Sequence, residues 1–145
     1  MKLQTSTRIA IHALAQLASR PGAQLPAAAI AARSGISVNH LVKVLRTLGR
    51  ARLVEAARGA GGGYRFRGNA RRVTLLEVIE LFEEVGAPRV DGAGARTAEG
   101  RALARILEEI GDMTRATLGS VTLATLLQIG RREQQAGESR PEGRR

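Results

Sequence analysis

The chain has 145 residues, no cysteine and a formal charge of +10, with 23 lysine and arginine residues against 13 aspartate and glutamate residues. The lack of cysteine excludes disulfides, thiolate zinc sites, cysteine nucleophiles and cysteine-ligated iron–sulfur clusters, and two histidines are too few for a histidine-rich metal site. No apolar run approaches the roughly 18 residues of a membrane span and no signal pattern opens the chain, so we expect a cytoplasmic protein of one domain, or of a small domain with a dimerisation appendage.

The excess positive charge lies entirely in the first half of the chain. Residues 1–72 contain 13 basic residues and one acid, Glu55, a formal +12, whereas residues 73–145 contain 10 basic and 12 acidic residues, a formal −2. All the basic residues except Lys2 and Lys43 are arginines, which pair bidentately with phosphates and guanine edges. This separation predicts a face in the first half that binds a polyanion.

Apolar spacing and turn residues predict three short helices in the first third of the chain. Their expected ranges are about 6–20, 27–33 and 37–48. Pro26 suits the start of the second helix, and Ser37 suits the N-cap of the third. A small residue, Ala31, lies where these two helices would cross, and Gly35 follows at the turn. This order is typical of a helix-turn-helix, although an ordinary αα-hairpin shares much of the pattern.

The third predicted helix has one apolar face and one polar face. Its inward residues, three and four positions apart, are Leu41, Val44, Leu45 and Leu48. The outward residues expected to reach base edges are Asn39, His40 and Lys43. The residues expected to neutralise phosphates are Arg33, Arg46, Arg50 and Arg52. The helix could therefore insert into a major groove, with its N-terminal outward residues against the bases.

A basic β-hairpin is predicted directly after this helix, where the hydrophobic period changes to two. Its expected strands are 53–58 and 64–67, on either side of the glycine-rich run 59–63. Tyr64 and Phe66 would face one side of the hairpin and the neighbouring arginines the other. Arg58 would enter a minor groove or clamp its backbone. The helix-turn-helix, its basic outer face and this hairpin together predict a winged helix that binds double-stranded DNA.

The second half of the chain predicts three further helices. Thr74 and Glu77 form a capping box that opens the first, which runs to about residue 85. A long helix starts at about 97 or 100 and ends near 118, and a last short helix runs from 120 or 122 to 129. Apolar residues along the long helix recur every three and four positions, which suggests a helix of a second copy as partner. This row contains Leu103, Ile106, Ile110, Met113 and Thr117.

The predicted fold is mainly α with a small β-hairpin wing, followed by a long dimerisation helix. The expected organisation is a winged helix-turn-helix domain at 1–85, a flexible loop at 86–100, dimerisation helices at 101–130 and a disordered tail at 131–145. No nucleophile–base pair, paired acidic site or phosphate loop is visible, so we expect no enzyme, no catalytic residue, no metal site and no cofactor. Two alternatives remain open: a basic winged helix that binds structured RNA, and a module that docks a protein partner.

Three segments resemble the Rrf2 family of winged-helix transcriptional regulators, most closely its NsrR-type, nitric-oxide-responsive members. They are ISVNHLVKVL at 36–45, RGAGGGY at 58–64 and LEVIELFEE at 76–84, and the similarity spans about residues 1–127. The resemblance implies a homodimer, joined near residues 100–118, that binds a pseudo-palindromic operator and usually represses transcription. It also implies roles for recognition-helix positions Ser37, Asn39, His40 and Lys43, and for wing positions Arg58, Gly62 and Gly63.

The chain departs from this family in the loop between its fourth and fifth helices. Cluster-binding members carry three cysteines there, and residues 86–100 contain none. Some relatives add an acidic ligand near the N-terminus, where this chain has Arg8. Asp91, Glu99 and His12 are better explained as solvated or packing residues than as ligands. The sequence therefore predicts a regulator without a cysteine-ligated cluster, and it leaves the effector open between a small molecule, a protein partner and none.

Overall fold

Six α-helices and one antiparallel hairpin make up the regular structure of the part of the chain that the computed structural model describes, residues 1–59 and 61–139. The helices are α1 (Thr5–Ala18), α2 (Ala27–Ser34), α3 (Val38–Arg50), α4 (Leu75–Glu80), α5 (Ala98–Ser120) and α6 (Leu123–Glu138). The strands are β1 (Val54–Ala57) and β2 (Gly63–Phe66), and a 3₁₀ helix covers Ala93–Arg96. None of the described helices is long and apolar enough to cross a membrane.

The helix-turn-helix is formed by α2, a short turn and α3. The turn is left-handed at Gly35, with φ of 62°, and the Ile36 amide donates to the Ala31 carbonyl at 3.1 Å. Ser37 caps α3 by accepting a hydrogen bond from the His40 amide. The four inward residues of α3 are all buried in one core with residues of α1 and α2. The predicted winged-helix fold is confirmed in this part of the chain.

The hairpin is tied to the loop before α2 as well as being paired within itself. Val54 pairs with Phe66 and Ala57 with Gly63, and Leu25 exchanges two backbone hydrogen bonds of 2.9 Å with Tyr64. Gly63 has φ of 139°, and a Cβ there would lie 2.6 Å from the Leu25 carbonyl oxygen. Only glycine permits this approach, so the hairpin is fixed beside its turn by a close backbone contact.

The chain returns to the N-terminal core through α6. Leu123 is 1% exposed, its amide donates to the Val73 carbonyl at 2.8 Å, and α6 packs against α1. Thr74 and Thr122 form an antiparallel bridge beside these contacts. Within the segment 123–130, which the expected division assigns to the dimerisation helices, Leu123, Leu126 and Leu127 thus also pack into the core of the 1–85 domain.

Two helices end at positions that differ from the prediction. α4 stops at Glu80 and not near residue 85, because the Leu81 and Phe82 amides bond three residues back and turn the chain so that Val85 becomes buried. α6 continues through 131–138, part of the predicted disordered tail, because this stretch contains several straight-chain residues with good helix propensity. The rest of that predicted tail, 140–145, lies outside the described residues.

The segment expected as a flexible loop, 86–100, is partly ordered by contacts with α5. It contains the 3₁₀ helix and the first residues of α5, which Thr97 caps by accepting from the Gly100 amide at 2.9 Å. Gly111 of α5 is buried, and a Cβ there would lie 2.7 Å from the Ala87 backbone nitrogen. One face of α5 is therefore covered by its own chain, through this loop and α4.

Candidate nucleic-acid interface

A stripe of polar and basic side chains runs along the exposed face of α3. Its members, which we call the α3 stripe, are Asn39, Lys43, Arg46 and Arg50. They are four, three and four residues apart, so the 3.6-residue helical period places them on one face. All are exposed, and this face lies opposite the buried leucines and valine of the same helix. The stripe therefore projects away from the core along the whole helix.

The cations of the α3 stripe have no acidic partner within the described residues. The ion pairs found there join Arg65 to Glu55 across the hairpin at 2.5 Å, and Arg115 to Glu80. Arg33, in the last turn of α2, is likewise exposed and outside these pairs. Since a single acid lies in residues 1–72, this surface keeps its positive charge for an external anion.

His40 differs from the other predicted base-contacting residues. Its ring is half-buried, and Nε2 lies 3.1 Å from Oγ of Ser6 in the first turn of α1. Asn39 and Lys43 are exposed. The structure thus brings Asn39 and Lys43 together on the outer face, whereas it places His40 at the side of α3 that meets α1.

The hairpin presents one of its arginines freely and holds another. Arg58 is exposed just beyond the end of β1, whereas Arg65 is paired with Glu55. The Gly62 amide donates to the Gly59 carbonyl at 3.0 Å and closes the turn, and Gly63 contacts Leu25 as described above. The two glycines predicted as DNA-contacting residues therefore have a structural role in shaping the wing.

Residues from α1 adjoin this interface, which the sequence interpretation did not foresee. Thr5, Arg8 and His12 line a cavity of about 360 Å³ together with residues of the α2–α3 turn and the start of α3. The three α1 residues are spaced three and four positions apart, so a signal for a shared helical face was present in the sequence. Ser37 and His40, both predicted site residues, line the same cavity.

The outer face of α5 is apolar and exposed. Leu103, Ile106, Ile110 and Met113 are 48%, 55%, 53% and 70% exposed, and Thr117 is exposed in line with them. The Thr117 hydroxyl donates to the Met113 carbonyl at 2.9 Å, so its hydrogen is used within the helix. We call these five residues the α5 row. It lies on the side of α5 away from Gly111, which is covered by the preceding loop.

Comparisons with known proteins identify the relatives of this chain. The sequence model of the Rrf2 family, described as "Iron-dependent Transcriptional regulator", matches residues 3–129. BadM of Rhodopseudomonas palustris, named as an HTH-type transcriptional regulator, is 46% identical over 143 residues, which cover 99% of this chain and 92% of BadM. The transcriptional regulator IscR of Escherichia coli O1:K1 / APEC is 32% identical over 130 residues, which cover 88% of this chain and 80% of IscR.

Solved structures share the same fold. CymR of B. subtilis, the global cysteine regulator, superposes with a TM-score of 0.76 at 25% identity, covering 89% of this chain and 98% of CymR. IscR of T. potens gives a TM-score of 0.73 at 24% identity, covering 99% of this chain and 94% of that protein. The similarity in both cases includes nearly the whole relative, so the shared fold extends well beyond the helix-turn-helix and the hairpin.

The described residues offer no ligand set for the iron named in the family description. The sequence has no cysteine, and the described residues contain no group of three or more histidine, aspartate or glutamate side chains placed to hold a metal ion. The relatives are regulators and not enzymes, and the winged helix with its basic surface agrees with that activity. The chain belongs to the Rrf2 family and is a DNA-binding transcriptional regulator.

Proposed function

We propose that this regulator is a homodimeric repressor that binds a pseudo-palindromic operator. Each protomer inserts α3 into a major groove and sets its hairpin against the adjoining minor groove or backbone. The observation that supports this most directly is the α3 stripe, a continuous basic and polar surface without acidic partners in the described residues. A surface of this kind gains free energy by releasing counterions from DNA.

Within this interface, we assign different tasks to the exposed side chains. Asn39 and Lys43, nearest the start of α3, contact base edges, with Asn favouring adenine and Lys favouring guanine. Arg33, Arg46 and Arg50 contact phosphates and fix the register. Arg58 enters or clamps the minor groove from the wing. The His40 side chain lies beside these residues, where the start of α3 meets α1.

A second copy of this chain is the proposed occupant of the α5 row. Four large apolar side chains, about half exposed or more, lie on one helix face at heptad-like spacing. Burying such a row against its own symmetry mate removes it from water and gives the isologous contact of a two-fold dimer. A dimer of this kind presents two α3 helices, so its operator should have two related half-sites.

Repression follows from occupancy. Where an operator overlaps a promoter, a dimer bound to both half-sites is expected to exclude RNA polymerase and so to reduce transcription. The protein would then act at the nucleoid in the cytoplasm. No iron–sulfur cluster is part of this proposal, and its effector is a small molecule, a protein partner or none.

Duplex selection with the purified full-length protein tests this function. We expect recovery of an inverted repeat with half-sites about one helical turn apart, and an affinity that falls steeply with salt. Transcription of a template with that repeat across its promoter should decrease when the protein is added. Recovery of no preferred duplex would reject operator binding, and enrichment of structured RNA from a parallel pool would favour an RNA-binding function.

A further inference from the structure

A cavity between α1 and the start of α3 has the chemistry of an anion site. We call it the α1–α3 cavity, and its volume is about 360 Å³. Its lining residues are Thr5, Arg8, Ile9, His12, Ser34, Gly35, Ile36, Ser37 and His40. They include both histidines of the chain and one arginine, and none of these lining residues is acidic.

Three residues that line this cavity have hydroxyl groups that accept hydrogen bonds from the protein. Ser34 Oγ accepts from Gln16 Nε2 at 2.9 Å, Ser37 Oγ accepts from the His40 amide at 3.4 Å, and Thr5 Oγ1 accepts from Arg8 at 3.5 Å. Within the described residues, none of the three hydroxyls donates to a protein acceptor. Each hydroxyl keeps a hydrogen to donate, so the cavity offers donors to a group that supplies only acceptors.

The orientation of the Gln16 amide supports this assignment of donors. Nε2 of Gln16 also donates to the Ile30 carbonyl at 3.4 Å, and a carbonyl oxygen can only accept. In this orientation Gln16 Oε1 is buried without a hydrogen-bond partner among the described residues, and the NH₂ group donates to the Ser34 hydroxyl. Its own hydrogen is left for a ligand in the cavity.

Charge adds to the same preference. Arg8 is exposed and, within the described residues, it forms no ion pair. The cavity also lies at the N-terminal end of α3, a helix of 13 residues, because Ser37 is its N-cap. The Arg8 guanidinium and the positive end of α3 together favour an anion with several acceptor oxygens, and imidazole N–H groups can donate to such oxygens.

We propose that the α1–α3 cavity binds a phosphate group, and that on an operator this is a phosphate of the DNA backbone. This inference rests on the proposed function, because the backbone borders the groove that α3 is proposed to enter. Arg8 and His12 then join the DNA interface from α1, and His40 contacts a phosphate instead of a base. A phosphorylated small molecule offers the same chemistry and is the other source to test.

Neutral linkages in the DNA distinguish these sources. In the duplex recovered by selection, each phosphate of a half-site is replaced in turn by a methylphosphonate, and affinity is measured by fluorescence anisotropy. We expect one position at which the wild type loses about tenfold in affinity. On the unmodified duplex, the affinity of Arg8→Gln should be lower than that of the wild type by a similar factor. Replacing the sensitive phosphate should cause no further loss of affinity in this variant, and the salt slope of its binding should be lower by about 1.

Arg20→Gln is the matched control, since it removes the same charge just after α1 but outside the cavity. Arg20→Gln should still lose about tenfold in affinity when the sensitive phosphate is replaced by a methylphosphonate, as the wild type does. Ser34→Ala provides a second variant that removes one donor without changing the charge. Its affinity should fall less at the sensitive methylphosphonate than the affinity of the wild type does. Far-ultraviolet circular dichroism and thermal melting confirm that each variant is folded.

In a second experiment, DNA-free protein is titrated with inorganic phosphate, and binding is monitored through the NMR signals of His12 and His40. Saturable shifts that disappear in Arg8→Gln support the cavity as a phosphate site whether or not operator binding is established. If they occur while no DNA linkage couples to Arg8, the DNA-backbone assignment is overturned in favour of a free phosphorylated ligand. If neither arm responds to Arg8→Gln and Ser34→Ala, the proposal is wrong, although a duplex preference of the wild type would still support the proposed function.

Discussion

The exposed residues of α3 separate by position into two chemical groups. Lys43 lies two turns or less from the capped N-terminus, which a helix-turn-helix directs into the groove, whereas Arg50 is the last residue of the helix. A side chain at a base edge discriminates among sequences, whereas a side chain at a phosphate contributes to binding of every sequence. The two positions should therefore respond differently to truncation.

Lys43→Ala should relax the base preference at one position of each half-site, with a loss of about 1–3 kcal/mol on the preferred sequence and little change on others. Arg50→Ala should weaken preferred and random duplexes by the same factor and reduce the salt slope by about 1. Competition binding with single-base variants of the selected duplex measures both effects. An equal loss on all duplexes for Lys43→Ala would contradict its assignment to a base.

At the scale of elements, α5 is positioned by a close contact with its own preceding loop. Gly111 permits the Ala87 backbone to approach the helix, and Arg115 donates to the Val85 carbonyl at 2.9 Å and pairs with Glu80. These contacts hold the end of α4 and the following loop against one side of α5. The α5 row is left on the opposite side.

Two glycine substitutions on α5 should have opposite effects on stability. Gly111→Ala places a Cβ 2.7 Å from the Ala87 nitrogen, so the loop must shift, and we expect a cost of about 1–3 kcal/mol. At Gly119 the nearest atom to a new Cβ is Leu76 Cδ2 at 3.5 Å, an ordinary contact. Gly119→Ala should therefore stabilise the helix by up to about 1 kcal/mol. Chemical denaturation gives both values, and a destabilised Gly119→Ala would show that helix propensity does not dominate there.

At the scale of the whole molecule, the proposed assembly depends on the α5 row. Ile110→Glu places a charge in the middle of this row, and burying it against a second copy without a partner is unfavourable. We expect sedimentation to shift towards monomer and operator affinity to fall with it. Arg105→Glu introduces the same acid at an exposed position of α5 outside the row and should leave the dimer intact. A dimeric Ile110→Glu variant would show that the interface lies elsewhere.

Metal removal provides a second test at this scale. Because the chain has no cysteine, operator affinity should be the same before and after treatment with an iron chelator. The absorption spectrum of the purified protein should also lack a visible band. A loss of affinity that added iron restores would contradict this expectation.

Local signals accounted for much of the fold and part of the candidate site. The Ser37 cap, the Thr74–Glu77 capping box and the buried face of α3 follow from residues within a few positions of one another. The features that were missed depend on distant partners. His40 turns towards Ser6, 34 residues away, and the end of α4 contacts Arg115, 35 residues beyond Glu80. Periodicity in one segment carries no information about such pairs.

The bridge between Thr74 and Thr122 has a consequence for the regulator on its DNA. The Leu75 amide donates to the Val121 carbonyl at 2.9 Å beside that bridge. The end of α5 is therefore attached directly to the domain that carries the hairpin, with no flexible linker between them. In the proposed dimer the distance and rotation between the two inserted helices are then fixed by the protein. The protein should therefore select operators by the length of the spacer as well as by base sequence. Five extra base pairs between the half-sites, about half a turn of B-DNA, should leave only one protomer able to place its α3 in the major groove of its half-site.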